Sequence, residues 1–155
     1  NIKMNISKHI SIKEATKSNT AQRLSIDNFP SNDVLVNMQA LADNIFEPLR
    51  LYVAEPIYIS SFYRSPELNK AIGGSANSQH CNGQAVDIDD VYSKKFKNVD
   101  YFNYIKDNLD FDQLIWEFGD DKSPSWVHVS YNLDNNRGRI LKAYKENGKT
   151  KYKVI

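Results

Sequence analysis

The sequence predicts an α+β domain, and three observations predict it. Four short segments, residues 56–61, 84–89, 113–118 and 125–131, alternate with period two and are rich in β-branched and aromatic residues, which suits strands rather than helices. Two longer stretches carry apolar residues at helical spacing: Val34, Leu35, Met38, Leu41, Ala42, Ile45 and Leu49, then Tyr101, Phe102, Ile105 and Leu109. Near the end, Asn147-Gly148 between two basic, alternating segments is a strong signal for a two-residue hairpin turn. Strands and helices fall in groups, so an antiparallel sheet with helices packed on one face is expected.

Residues 1–10 alternate loosely and read as a strand or a surface segment. Ser11 and Glu14 have capping-box spacing, which predicts a short helix over 12–17. Residues 19–30 read as an irregular link. Ser31 is a good N-cap for the long helix, and Pro48 is expected to kink or end it near its last turn. A strand over 56–61 delivers Arg64 at its exit. Ser65-Pro66-Glu67 starts another helix that Gly73-Gly74 stops, and a loop of small polar residues, 75–79, leads to His80. Residues 113–118 and 125–131 are strands joined by the turn-rich loop 119–124, and 139–145 with 149–155 form the hairpin.

At 155 residues the chain is near the modal size of one domain, so 1–155 is read as a single unit. Apolar residues at 41% and charged residues at 25% describe a globular chain and exclude a disordered one. Twenty basic and nineteen acidic residues leave a net charge of +1, too small to hold nucleic acid or an anionic membrane by field alone. One cysteine, Cys81, excludes an internal disulfide and a Cys-x-x-Cys zinc site. No run is long enough to span a bilayer, and no charged-then-apolar start reads as a signal peptide. A monomer is expected.

The chemistry concentrates in Ser78-Gln79-His80-Cys81-Asn82-Gly83-Gln84-Ala85-Val86-Asp87 and in Trp126-Val127-His128-Val129-Ser130-Tyr131. Two imidazoles and one carboxylate, His80, Asp87 and His128, make a three-ligand set for one zinc ion, with a fourth tetrahedral position left for water. That arrangement points to hydrolysis. Asp87 and Asp89 share one face of their strand, so by periodicity either reaches the metal. Trp126, His128 and Ser130 share the polar face of theirs, which is expected to line a cleft. Cys81, next to His80, has a thiolate-ligand or nucleophile reading, but neighbouring residues of an extended segment point apart and packing is the simpler fate. His9 has no ligand-like neighbours and is expected on the surface.

Ser-x-His-x-x-Gly-x-Ala-x-Asp followed by Trp-Val-His-Val-Ser resembles the zinc D-Ala-D-Ala carboxypeptidases and VanX-type dipeptidases of the hedgehog/DD-peptidase fold. The likeness extends to Ser60–Asn69 and Gln113–Glu117. It implies that Asp87 is the ligand, that Arg64 stabilises the oxyanion, and that Ser78 contacts substrate. Tyr63 and Trp126 are expected to wall the cleft. A general base is wanted near the metal but off it, and Glu117, between Trp116 and Phe118, is the candidate because partial burial raises a carboxyl pKa. VanX-type relatives place their acid three residues before the last histidine, where this chain has Ser125; Glu117 resembles a phage and bacterial subgroup instead. Asp112, Asp120 and Asp121 are the fallbacks.

The resemblance implies a zinc metallopeptidase that cuts peptidoglycan stem peptides as a D,D- or L,D-carboxypeptidase or endopeptidase, endolysin-like, acting at the cell wall or periplasm. The rival reading is a non-catalytic module that keeps the fold and metal and binds peptidoglycan or builds a virion.

Overall fold

A computed structural model describes residues 5–155; residues 1–4 of the N-terminal segment lie outside the described residues. The chain opens with a two-stranded ribbon, β1 (Asn5–Ser7) and β2 (Ile10–Ser11). Ser11 then caps α1 (Ile12–Thr16), its Oγ accepting from the Glu14 amide at 3.0 Å. The expected irregular link contains a helix, α2 (Asn19–Arg23). Ser18 Oγ accepts from the Ala21 amide at 3.1 Å, and Ala21 is buried, so one cap and one apolar anchor suffice for the turn.

Ser31 caps α3 (Asn32–Leu41), which runs on through a π-helical turn (Ala42–Phe46) into α4 (Glu47–Val53). Of the two outcomes expected at Pro48, a kink or an end, the helix does not end there; it is distorted just before the proline. The widened turn before it, with the Glu47 amide bonded to the Ala42 carbonyl, absorbs the missing donor. The helix stops five residues later, where Ala54 turns left-handed at φ 55°.

The central sheet has six strands: β3 (Tyr58–Ser61), β4 (Ala85–Asp89), β5 (Gln113–Glu117), β6 (Trp126–Ser130), β7 (Arg139–Glu146) and β8 (Lys149–Val154), in the order β3-β4-β6-β5-β7-β8. Two helices connect them, α5 (Pro66–Ala71) between β3 and β4 and α6 (Asn98–Asn108) between β4 and β5. The sheet is mixed, not purely antiparallel as expected, because β5 and β7 run parallel. The cause is topological. β6 returns beside β5 and ends near the start of β5, so a short crossover round that end must enter β7 in the direction of β5. Asp112 and Arg137 pin the crossover with bonds of 2.9 and 2.8 Å.

One face of the sheet makes the core. Val86, Ile88, Leu114, Val127 and Val129 are at most 1% exposed and join Met38, Leu41, Ile45, Leu49 and Ile105 from the helices. The Trp116 and Phe102 rings close this layer edge to face at 5.2 Å. The other face carries only a small apolar patch, Ile115, Leu141 and Ala143 with Phe118. Part of the rest, around Trp126 and His128, borders an open cleft.

Candidate metal centre and cleft

The register of the sheet assembles the site. Asp87 on β4 pairs with His128 on β6, and His128 pairs with Ile115 on β5. One step along, Trp126 pairs with Glu117, so Glu117 projects from the same face, two residues, or about 7 Å, from the row of Asp87 and His128. His80 arrives from outside the sheet on a 3-10 turn, Gln79–Asn82, capped by Ser78 Oγ, which accepts from the His80 amide at 3.2 Å. Gly83 ends that turn at φ 70°, against α3; a Cβ there would lie 2.6 Å from Met38 Cγ. The glycine of the motif is thus required twice, by conformation and by space.

His80 Nδ1 lies 2.8 Å from the Phe62 carbonyl, which only a protonated Nδ1 satisfies. In the neutral ring Nε2 then keeps its lone pair, the one a metal needs, and lies 3.3 Å from Asp87 Oδ2. His128 Nδ1 sits 2.9 Å from Asp87 Oδ1. One donor atom from each of His80, Asp87 and His128 lies within 4.8 Å of the others. Burial alone would raise the Asp87 carboxyl, but the His80 charge and the bonds from His128 and His80 outweigh it and hold it well below the usual range. Two imidazoles and an ionised carboxylate, one imidazole oriented by a main-chain carbonyl, fit a zinc ion in donor type and spacing.

Glu117 shares burial and the His128 charge with Asp87 but lacks its hydrogen bonds from the imidazoles, so it is shifted the other way. It is 7% exposed, and burial pushes its carboxyl up to about 7, with the His128 charge opposing and Asp87 reinforcing the shift. The chain turns sharply after it. Phe118 is left-handed at φ 57° and Gly119 at φ 75°, where a Cβ would fall 2.3 Å from the Ser123 carbonyl oxygen.

Arg64 lies at the exit of β3, its amide bonded to the His80 carbonyl at 3.3 Å and its Nη2 3.4 Å from Ser78 Oγ. No carboxylate among the described residues lies within ion-pair distance of it, so its charge faces the cleft. Arg64, Ser78, His80, Asp87, Glu117, Trp126 and His128 line one open cleft of about 650 Å³.

Other expected positions fall elsewhere. Tyr63 is not a cleft wall; it is 7% exposed in the helix-side core, between the Ala15 carbonyl and Asn28. Ser130, on the expected polar face, is fully buried and accepts from the Gln113 amide. Asp89 turns to Asn98 Nδ2 at 2.8 Å, away from the cluster. Among the fallback acids, Asp112 is held by Arg137 and Gln79, Asp120 caps its own loop through the Lys122 and Ser123 amides, and Asp121 is 99% exposed. Burial pushes the Cys81 thiol up, partly opposed by Arg64, which is the wrong direction for a nucleophile. His9 is on the surface, bonded to Glu47.

The sequence reading missed Ile115, Phe118, Arg137, Thr150 and Tyr152, all of which also line the cleft. Ile115 had a signal in its parity with Glu117. Arg137, Thr150 and Tyr152 had none: only the fold shows that the crossover carrying Arg137 and the hairpin carrying the other two reach the site.

Two imidazoles and a carboxylate with a protonatable acid beside them, on one face of an α+β sheet, are the donor set and neighbouring acid that a metallohydrolase needs. The chain matches the Peptidase M15 family over residues 8–130 and belongs to it, and that family is one of zinc-dependent peptidases. No curated protein sequence matches the chain. Among the described residues no helix is long and apolar enough to cross a membrane.

Proposed function

We propose that the chain, 1–155, is one peptidase domain that hydrolyses peptide bonds in peptidoglycan stem peptides, as a D,D- or L,D-carboxypeptidase or endopeptidase of endolysin type. The observation that carries this reading is the pairing of Asp87 with His128 one row from Glu117, in a cleft open enough for a peptide. Membership of a peptidase family supports hydrolysis; the stem-peptide substrate rests on the resemblance of the two motifs to D-Ala-D-Ala peptidases.

His80, Asp87 and His128 hold the zinc. Bound there, zinc supplies Lewis acidity to the attacking water and to the carbonyl it attacks. Glu117 takes the proton from that water as its oxygen bonds to the carbonyl carbon. The same carboxyl then delivers the proton to the amine as the C–N bond breaks, leaving a free amine and a carboxylic acid that loses the water's second proton to solvent. Burial raises this carboxyl above the ordinary carboxylate range, which suits a group that must take up a proton and then give it back. Arg64, buried at Nε and held beside Ser78, donates to the carbonyl oxygen as negative charge develops on it. Trp126 and Ser78 contact the peptide.

Two measurements test the proposal. Protein purified without added metal is expected to carry near-stoichiometric zinc, and His128→Ala to lose it. Purified peptidoglycan incubated with the zinc-loaded protein is expected to release new amines and shortened stem peptides. Bound zinc without released amines would favour the rival reading, a wall-binding or virion module that keeps the metal but has lost the chemistry.

A further inference from the structure

The family match stops at residue 130, yet the cleft does not. Its outer wall comes from the segment after β6. The register shows how: Glu117 pairs with Ala143 across the parallel β5–β7 contact, and Ala143 pairs with Tyr152 across the β7–β8 hairpin. Cross-strand partners project from the same face. Trp126, Glu117, Ala143 and Tyr152 therefore form one row over four strands, parallel to the row that holds Asp87 and His128.

Ala143 matters because it is small. Neighbouring strands stand about 4.8 Å apart, so Tyr152 starts two strands, roughly 10 Å, from Glu117. A phenol spans much of that distance only if the residue between is short. Ala143 is fully buried with a single methyl, and Tyr152 lines the cleft although it stands on the edge strand. The proximity is also felt electrostatically: the Tyr152 hydroxyl is shifted up, first by burial and then by the charges of Glu117 and Asp87.

Two other polar groups on this wall already have protein partners. Arg137 is forked onto the buried Asp112 carboxylate, and Thr150 Oγ1 accepts from Lys145 Nζ at 2.9 Å. The Tyr152 hydroxyl takes no protein partner among the described residues. A phenol is a good donor that keeps its proton at neutral pH, and its ring gives a stiff apolar surface at small entropic cost. A peptide lying across the row past Glu117 offers it a main-chain carbonyl.

We infer that Tyr152 is a substrate-binding residue of the peptidase cleft, its ring walling the side beyond Glu117 and its hydroxyl donating to a main-chain carbonyl of the bound peptide. The inference rests on the peptidase reading but not on the peptidoglycan one.

The test uses the zinc-loaded 155-residue chain and a peptide panel spanning L,L, L,D and D,D bonds, stem peptides included. KM and kcat are measured on the peptide the wild type cuts fastest. Loss of one neutral hydrogen bond predicts a KM about fivefold higher for Tyr152→Phe, with kcat within about twofold, and a KM more than about tenfold higher for Tyr152→Ala. Lys151→Ala is the control. Lys151 sits on the same strand, paired with Tyr144 on the opposite face, and its substitution is expected to leave both constants unchanged. Zinc content and Tm should be the same in all four proteins, since Tyr152 is 55% exposed. A Tyr152→Phe protein with wild-type KM overturns the assigned hydrogen bond, and a Tyr152→Ala protein with wild-type KM overturns the site. Cleavage of panel peptides other than stem peptides overturns the peptidoglycan reading while leaving the Tyr152 comparison intact.

Discussion

The two faces of the central sheet are built from the same strands by alternate residues, and they solve opposite problems. On the helix side, Val86, Ile88, Leu114, Val127 and Val129 exclude water and carry nothing that ionises. On the cleft side, Asp87, His128 and Glu117 are one residue out of phase with them, and all three ionise. The rigid face makes the reactive one possible. Side chains on the cleft side hold their positions because the backbone beneath them is clamped by packing on the far side. The cleft face in turn splits its two carboxylates. Asp87 stays ionised between two imidazoles, while Glu117, one row away and buried, titrates near neutrality. Two acids at the same face thereby suit two roles, ligand and proton carrier.

The largest effect is expected from removing the titrating acid alone. Glu117→Gln keeps the shape and the three-ligand cluster, and it should lower kcat by about 10²–10⁴ on any peptide the wild type cuts. Zinc content should be unchanged and thermal stability no lower, because the buried carboxyl is costly when ionised and the amide is not. Rate assays with elemental analysis of the same preparation decide it. A Glu117→Gln protein with zinc and near-full activity would move the base elsewhere, and none of the three fallback acids is placed to serve.

Leu114→Ala breaks the other face. Leu114 is fully buried and pairs with Val129 and Ile140, so truncation should cost about 2–5 kcal/mol, seen as a Tm lower by roughly 5–15 °C in a thermal melt. Below the new transition, activity per folded molecule should stay near wild type. A large loss of activity at full folding would mean that the two faces are less separable than their alternation suggests.

Much of this was legible in the sequence because alternation and capping are local. Ser11, Ser31 and Ser65 marked three helix starts correctly, and the parity of His128 within its strand announced a polar face. Pairing is not local. Nothing near residue 140 says that β7 adds to β5 in parallel, so neither the mixed sheet nor the reach of Tyr152 into the cleft was readable. The same limit explains Tyr63, whose neighbour Arg64 faces the cleft while its own ring packs among the helices; at a strand exit, period two no longer fixes a side. The missed α2 and the helix running through Pro48 are a different matter. In both, local rules were outweighed, once by a serine cap with a buried alanine and once by a π turn that relocates the missing bond.

The smallest predicted effect probes the join between the faces, where the crossover from β6 to β7 is tied down by Asp112. Its bonds from Arg137 outweigh burial and, with help from Gln79, hold its carboxyl down to about 2 from an ordinary 3.8. A depressed acid stabilises the fold above its unfolded pKa, and that stability is lost as pH falls through 3.8 toward 2. Because the Arg137 side chain is 49% exposed, solvent screens the pair, and about 1–2 kcal/mol is a fair expectation. Urea unfolding of the wild type at pH 6 and pH 3 should therefore show a larger fall in stability than the same pair of measurements on Asp112→Asn. The amide protein should start lower at pH 6 and slope less. If the two slopes coincide, acid sensitivity comes from other carboxylates, and the crossover is held by its main-chain bonds, from the Gly138 and Arg139 amides to the Phe111 and Asp112 carbonyls, instead of by the ion pair.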